Sequence, residues 1–316
     1  IVTLYCAILL HDIGHGPFSH SFEMIHPIRH EQYTINLILG PSEVHDILYR
    51  VDPLFPAKVA SVINKTHPNK IIWQLISSQI DADRIDYLLR DGYFTGASYG
   101  FIDIKRLIRF MRAHKGELVF KEGGLSNIEN MVLGRYYMYK QVYYHPNSLV
   151  YEVITSKLFK RFFELVQKQF PFQSDYSLLL PLVSHQVIAN DAYVALDDHS
   201  VYHYAKMMQK EDDKLLVDFA DRMLNRKLIQ YKYLQKQEDV DRFQKQYRGD
   251  LYYYYCDKLT QIVYNKYGKN DSTPIRILMD NGKVKELSEV SVIVNALAID
   301  KISNDGNYIV VYKEKK

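Results

Sequence analysis

The chain has 316 residues, of which 47% are hydrophobic, enough to bury one large core or one core with a smaller appended unit. Lys and Arg number 40 against 37 Asp and Glu, and the net charge of +3 is too small to indicate a nucleic-acid binder. Phosphate recognition is therefore expected to be local. With two cysteines, Cys6 and Cys256, the sequence favours a reducing cytoplasm over a disulfide-stabilised fold.

An apolar run of ten residues opens the chain, at positions 1–10. It is too short to span a membrane and lacks the basic segment of a signal peptide, so it predicts a core helix. Because the sequence begins at Ile1, without an initiator Met and already inside this packed element, we expect an upstream part of the protein to be absent from it.

Apolar residues recur at helical spacing to about residue 170, and Gly and Pro mark the breaks. A short strand at 117–120 and a turn at 121–124 are predicted before a long helix that carries Arg135. Another helix follows Pro146. Further helices are predicted over four ranges: 176–190, 201–209, 212–225 and 239–247.

The pattern changes near Arg226, where we place a soft domain boundary. Beyond it, runs rich in β-branched and aromatic residues predict strands over three ranges: 274–279, 301–303 and 308–312. Turns at 280–282 and 304–306 bound these runs. The fold class predicted from these elements is mainly α, with a smaller α/β region at the C-terminal end.

Histidines and acids are concentrated directly after the opening helix. His11 and Asp12 end that helix, and Pro17 suits the first position of the next one. On the next helix, His20 and Glu23 are three residues apart and share a face. A carboxylate beside a histidine fixes its tautomer and raises its basicity, which is how a general acid or base is positioned.

Four histidines and three acids fall within about twenty residues of this apolar stretch: His11, His15, His20, His30, Asp12, Glu23 and Glu31. Polar groups at this density in an apolar environment must pair with one another or with a ligand. A divalent metal ion with a phosphate substrate meets that demand, because imidazole and carboxylate ligands suit Mn, Fe, Ni, Zn and Mg.

The segment SSQIDADRIDYLLRDGY predicts a helix with two distinct faces. At about 100° per residue, one arc carries polar residues and a separate arc is apolar. The polar arc is predicted to face a site and consists of Asp83, Arg84, Tyr87 and Asp91. Asp81, Asp86 and Arg90 are interpreted as ordinary surface charges.

A third set of residues lies on the long helix after the predicted strand. Arg135, Tyr139 and Tyr143 are spaced four residues apart on one stripe, so a guanidinium and two phenols can line a single groove. Arginine suits phosphate oxygens, and tyrosine can stack on a base or pack on a sugar.

These segments resemble the motifs of the HD-domain deoxynucleoside triphosphate (dNTP) triphosphohydrolases, a family that includes the mammalian SAM-and-HD-domain protein and bacterial relatives. The matching motifs are HDIGHGPFSH at 11–20, HE at 30–31 and DRIDY at 83–87. The resemblance covers the chain to about residue 170, and the first string is far more specific than an isolated His-Asp pair. It implies a helical HD-domain core over 1–225, with its N-terminal part missing, followed by an α/β region over 226–316.

The resemblance implies that three residues bind one metal ion, namely His11, Asp12 and Asp83. The ion would bind the α-phosphate and a water, with Mn²⁺, Mg²⁺, Fe²⁺, Ni²⁺ and Zn²⁺ as alternatives. The other groups around the α-phosphorus would be His15, His30 and the His20–Glu23 pair, in which His20 protonates the leaving O5′. The family site takes one more histidine from an upstream helix, and no residue before His11 can supply it.

The resemblance also implies the residues that bind substrate. Arg84 and Arg135 are assigned to the polyphosphate, and Tyr87, Asp91 and Tyr143 are assigned to the sugar. Tyr144 is placed near the base, with Tyr139 in the same groove. Two residues depart from the family pattern, which often has Asp at the position of Glu23 and Lys at that of Arg84. Both departures keep the charge.

The function implied is hydrolysis of a dNTP to deoxynucleoside and inorganic triphosphate by a cytoplasmic homo-oligomer, with a tetramer favoured. A nucleotide activator is a further expected partner, whereas membrane and nucleic-acid partners are not expected. One alternative is an HD phosphohydrolase of nucleotide monophosphates or a guanosine alarmone, against which Tyr87, Asp91 and Arg135 argue. Another is a nucleotide-sensing or nucleic-acid-binding protein without catalysis, which would have no need of His20 and its neighbours.

Overall fold

The computed structural model describes residues 1–247, 249–250, 252–258, 264, 273–298 and 308–313, and this part of the chain is mainly helical. The first eight α-helices are α1 (Val2–Leu10), α2 (His20–Glu23), α3 (His30–Leu39), α4 (Glu43–Val51), α5 (Phe55–Ile63), α6 (Lys70–Gln74), α7 (Ala82–Thr95) and α8 (Ile104–Phe110). The next eight are α9 (Leu125–Met138), α10 (Pro146–Gln167), α11 (Asn190–Val194), α12 (Asp198–Met208), α13 (Lys214–Leu224), α14 (Gln237–Gln246), α15 (Leu287–Val290) and α16 (Val292–Ala298). The strands are β1 (Met111–His114), β2 (Glu117–Lys121), β3 (Gln230–Leu234), β4 (Tyr254–Lys258), β5 (Arg276–Leu278), β6 (Val284–Glu286) and β7 (Tyr308–Tyr312).

The opening helix α1 packs against α5 on one side only. Ala7 is fully buried, but the side chains of Tyr5 and Leu9 are 66% and 79% exposed. The prediction of a core helix is therefore correct for one face and wrong for the other. A helix that is apolar all round carries no pattern from which its buried face can be chosen. None of the described helices is long and apolar enough to cross a membrane.

The long helix α10 lies in the largest hydrophobic core. It begins at Pro146, whose missing N–H is not needed in the first turn of a helix. Val150, Ile154 and Leu158 recur at one-turn spacing and are completely buried, and each such side chain contributes about 1.5–3 kcal/mol on burial. Helix α10 packs against α13 and also contacts α2, so the core extends to the helix that carries His20.

The strands form two sheets, in the orders β1-β2-β5-β6 and β3-β7-β4. In the first sheet β5 runs parallel to β2, with Phe120 opposite Ile277. Residues from both sides of the predicted boundary at Arg226 therefore share one sheet. In the second sheet β7 is central and pairs with both neighbours in antiparallel register.

Three of the predicted strands are confirmed as β2, β5 and β7. The strand predicted over 301–303 and the turn over 304–306 lie outside the described residues. The sequence pattern does not indicate β1, β3, β4 or β6. In β3, for example, Leu234 is buried and the other four residues are exposed, so the alternation that marks a half-buried strand is missing.

The helices predicted over 201–209, 212–225 and 239–247 are confirmed as α12, α13 and α14. The helix predicted over 176–190 is wrong. A short 3₁₀ turn, Leu180–Ser184, is formed there, and it ends at His185 with φ of 52°. Pro181 lacks an N–H and its ring clashes with the carbonyl four residues earlier, which breaks an α-helix at this point.

Candidate active site

The turn between α1 and α2 carries the first group of predicted site residues. Its backbone lies so close to α3 that a Cβ atom on Gly14 would be 2.2 Å from the carbonyl oxygen of His30. The hydroxyl of Thr34 on α3 accepts from the Gly14 N–H at 3.0 Å and donates to the His11 carbonyl at 2.9 Å. Further along, Phe18 and Ser19 have φ of 58° and 52°, in the left-handed region. The turn is thus tightly constrained on its way to His20.

The three predicted metal ligands converge on one point. The Nε2 atom of His11 lies 3.4 Å from a carboxylate oxygen of Asp12 and 3.4 Å from one of Asp83. Asp83 is in the first turn of α7, whose N-cap is the buried side chain of Asp81. One ligand atom from each of His11, Asp12 and Asp83 lies within 4.8 Å of the others.

The hydrogen bonding of His11 suits a cation. Its Nδ1 atom bonds to the Ile8 carbonyl oxygen at 2.8 Å, while its Nε2 atom is buried without a hydrogen-bond partner among the described residues. Burial favours the neutral imidazole, but the carboxylates of Asp83 and Asp12, each 3.4 Å from Nε2, outweigh it and raise the pKa of His11 to about 9. The acidic surroundings thus favour a positive charge at this point. A divalent metal ion bound by one imidazole and two carboxylates fits the donor set.

The remaining predicted histidines form a second group beside Asp12. The rings of His15 and His30 are stacked with centroids 3.8 Å apart, and the ring of His20 meets them edge-on at 4.8 and 5.2 Å. The Nε2 atoms of His15 and His30 lie 3.8 and 3.7 Å from a carboxylate oxygen of Asp12. Burial and the neighbouring His30 lower the pKa of His15 and favour its neutral form.

The carboxylate of Glu23 pairs with His30 more closely than with its predicted partner, His20. It bonds to Nδ1 of His30 at 2.7 Å, whereas its closest approach to Nδ1 of His20 is 3.7 Å. The i, i+3 spacing does bring Glu23 near His20, but α3 brings His30 closer, and sequence spacing cannot show a contact between two helices. His20 is left 74% exposed at the mouth of the group.

Helix α7 carries the predicted sugar-binding residues along the face that begins with Asp83. The hydroxyl of Tyr143 donates to a carboxylate oxygen of Asp91 at 2.7 Å. The ring of Tyr87 lies 6.2 Å from that of Tyr143, edge to face. Burial raises the pKa of Tyr87 to about 12, so its hydroxyl remains a donor. The structure therefore brings these three side chains together.

The guanidinium of Arg84 bonds to the carboxylate of Asp81, which also accepts from the Arg84 N–H at 2.7 Å. Asp81 is therefore a buried helix cap and not the surface charge that the sequence suggested, because the N-terminus of α7 is packed inside the fold. Asp86 and Arg90 are confirmed as an exposed ion pair, with the nearest atoms 2.6 Å apart.

The predicted Arg-Tyr stripe runs across a change of helix type. The α-helix ends at Met138 and continues as a π-helical turn, Tyr139–Tyr143, in which the Tyr144 N–H donates to the Tyr139 carbonyl at 2.8 Å. π turns are rare and frequently occur at functional sites. The ring of Tyr139 is 4.9 Å from that of Tyr143 and 5.7 Å from that of Tyr144, so three phenols gather at one end of the groove.

Arg135 extends this groove toward the interior. Its guanidinium lies 5.5 Å from the centre of the Tyr139 ring. Its Nε atom is buried and has no hydrogen-bond partner among the described residues. An unpaired donor on a buried guanidinium is costly in the absence of an anion, and a phosphate oxygen would satisfy it.

Three supporting residues lie outside the turn, two of them far away in sequence, and no motif indicates them. Thr34 holds both Gly14 and His11, as described above. The hydroxyl of Tyr193 on α11 donates to the Gly14 carbonyl at 2.7 Å, and Asp198 at the start of α12 accepts from the Phe18 N–H at 2.8 Å. The separations of 179 and 180 residues leave no periodic signal that could link these residues to the turn.

Comparison with known proteins identifies two matching family models. Residues 1–91 match the HD domain, and residues 102–250 match the HD associated region. YwfO of Bacillus subtilis is 39% identical over 302 residues, which cover 92% of this chain and 70% of that protein. The deoxynucleoside triphosphate triphosphohydrolase SAMHD1 homolog of Dictyostelium discoideum is 30% identical over 151 residues, covering 43% of this chain and 29% of that one.

The fold also matches solved structures. A phosphohydrolase from Bacteroides thetaiotaomicron superposes with a TM-score of 0.80 at 24% identity, covering 99% of this chain and 80% of that one. At this level of identity the likeness establishes the fold alone.

Proposed function

This chain belongs to the HD-domain family of phosphohydrolases, and on that basis we propose that it hydrolyses dNTPs to deoxynucleoside and inorganic triphosphate. The observation that carries the proposal is the arrangement of side chains along α7. Asp83 belongs to the metal group, and Asp91, bonded to Tyr143, lies eight residues further on. At 1.5 Å per residue the two are about 12 Å apart along the helix axis, which leaves room along one face of α7 for a metal-bound α-phosphate beside Asp83 and a sugar hydroxyl beside Asp91.

In this proposal His11, Asp12 and Asp83 hold a divalent metal ion. When bound, the ion supplies Lewis-acid polarisation of the phosphoryl group and lowers the pKa of a bound water. The similarity to a relative named as a deoxynucleoside triphosphate triphosphohydrolase supports a dNTP as the substrate.

The second histidine group then faces the leaving O5′ atom. His20 is exposed at the mouth of the group and is proposed to donate a proton to O5′. His30 is oriented by Glu23 through the 2.7 Å hydrogen bond and, with His15, stabilises charge on the phosphoryl oxygens. Arg135, with its unpaired buried donor, and Arg84 are proposed to bind the polyphosphate.

Product analysis tests the proposal. Purified protein is incubated with each dNTP and Mn²⁺ or Mg²⁺, and the products are separated by anion-exchange chromatography. We expect free triphosphate and a deoxynucleoside, because the metal group is assigned to the α-phosphate and not to the terminal one. Orthophosphate or pyrophosphate as the primary product would contradict the proposal. We also propose that the chain forms a homo-oligomer and that a nucleotide activates it. Sedimentation of the protein with and without each nucleotide would show whether it forms an oligomer and whether a nucleotide changes that assembly.

Asp91→Ala is expected to raise KM for dNTPs about 10- to 150-fold, since a hydrogen bond to a charged group is worth about 1.5–3 kcal/mol. The carboxylate is proposed to accept from the sugar 3′-hydroxyl while Tyr143 holds it in place. Steady-state kinetics with a dNTP and with its 2′,3′-dideoxy analogue provide the measurement. The variant should lose most of the parent's preference for the dNTP. The assignment is wrong if parent and variant discriminate equally between the two substrates.

A further inference from the structure

Tyr193 connects the HD associated region to the turn that carries the proposed metal ligands. It lies on α11, about 180 residues after that turn, and its side chain is 5% exposed. Its hydroxyl donates to the Gly14 carbonyl oxygen at 2.7 Å. Gly14 is two residues after Asp12 and directly precedes His15, so this one bond reaches the centre of the HD motif from the other half of the fold.

The opposite end of the same stretch is held by Thr34. Its hydroxyl bonds to the His11 carbonyl and to the Gly14 N–H, as described for the turn. Asp12 lies between these fixed points. Among the ion pairs of the described residues, its carboxylate contacts only imidazole groups, at 3.4 to 3.8 Å. The direction of the Asp12 side chain therefore depends on the backbone from His11 to Gly14.

The Tyr193 ring is itself fixed. It stacks on the ring of Tyr33 with centroids 3.5 Å apart and an angle of 6° between the planes. The Tyr33 hydroxyl accepts from the Ile188 N–H at 3.2 Å and bonds to Nε2 of the buried His26 at 2.7 Å. Asn190, at the start of α11, donates to the Asn36 carbonyl oxygen at 3.1 Å. The hydroxyl of Tyr193 has little freedom to leave its position over Gly14.

We infer that Tyr193 is a positioning residue for the metal site: it acts through the Gly14 carbonyl to aim the backbone that presents His11 and Asp12. The inference rests on the proposed metal site. Groups that orient metal ligands affect metal affinity and turnover without contacting substrate, and their loss typically costs about 10- to 100-fold. In this inference the hydroxyl group of Tyr193 links the associated region to the backbone of the metal site.

Tyr193→Phe tests the inference, because it keeps the stacked ring and removes only the hydroxyl. We expect the Kd for Mn²⁺, measured by isothermal titration calorimetry without substrate, to rise about tenfold or more. The turnover number should fall by a similar factor at saturating Mn²⁺, while KM for the dNTP stays within about twofold, since the variant changes ligand geometry and not substrate contacts.

Tyr176→Phe is the matched control. Tyr176 is 4% exposed, lies in the same core, and its hydroxyl donates to Glu211 at 2.9 Å, far from the turn in the chain. Both variants lose one buried hydrogen bond, so thermal unfolding should shift to lower temperature in both. Mn²⁺ affinity and turnover should change only in Tyr193→Phe.

Equal Mn²⁺ affinity and turnover in Tyr193→Phe and the parent would overturn the inference, as would an equal loss in the Tyr176→Phe control. A parent protein that does not bind Mn²⁺ would overturn it as well. If the parent binds Mn²⁺ but releases no triphosphate from any dNTP, the proposed reaction fails. The comparison of Mn²⁺ affinities still decides the role of Tyr193 in that case.

Discussion

Asp83→Ala is expected to reduce the dNTP turnover number about 1000-fold, a loss of about 4 kcal/mol of transition-state stabilisation. The variant removes one of the two carboxylates proposed to hold the metal ion, and it leaves His11 with a single acidic neighbour at 3.4 Å. Asp83 is the member of the group that α7 contributes, and the other two members come from the turn after α1. No other described side chain takes its place in the group. Bound Mn²⁺ per chain, measured after dialysis, should fall together with activity.

The control for this variant is Asp86→Ala. Asp86 lies one turn further along α7 and pairs with Arg90 on the surface, so the same change of charge and helix propensity is made outside the site. We expect near-parental turnover and Mn²⁺ content. If Asp83→Ala retains stoichiometric Mn²⁺ and parental turnover, the metal group is assigned to the wrong residues.

His20→Ala is expected to lower the turnover number about 100- to 10,000-fold, the range that general acid catalysis contributes. The KM for dNTP should change little, because a proton donor acts mainly in the transition state. The exposed ring of His20 lies edge-on to the stacked His15 and His30 pair, where it can face a leaving oxygen from the open side. Steady-state kinetics with saturating Mn²⁺ separate the two parameters.

His203→Ala provides the comparison, since His203 is an exposed histidine on α12 that belongs to neither histidine group. It should leave both parameters near those of the parent. An unchanged turnover number with a raised KM in His20→Ala would show that His20 only binds substrate. A larger loss of turnover in His30→Ala would instead favour the histidine that Glu23 orients.

The sequence predicted the members of the site better than their contacts. The family resemblance carried by HDIGHGPFSH and DRIDY implies that His11, Asp12 and Asp83 form one group, and these three converge. The partner of Glu23 could not be obtained in the same way. Helical periodicity describes neighbours on one helix, whereas the bond from Glu23 to His30 depends on how α2 and α3 pack.

The same limit applies to the fold. The strands β2 and β7 carry runs of apolar and aromatic residues and were predicted, while the mostly exposed β3 was not. The apolar stretch around Leu179 resembles a helix by periodicity alone, but Pro181 overrides that pattern. No local sequence pattern predicts the role of Tyr193, because that role depends on the hydrogen bond between Tyr193 and the distant Gly14.

The pairing of β2 with β5 has a consequence for how the protein is made. Phe120 leaves the ribosome 157 residues before its partner Ile277, an interval of roughly ten to thirty seconds at the usual rate of bacterial and eukaryotic elongation. During that time β2 has β1 on one side and an open hydrogen-bonding edge on the other. The open edge of β2 is therefore available for intermolecular strand pairing until β5 and β6 have been synthesised and complete the sheet.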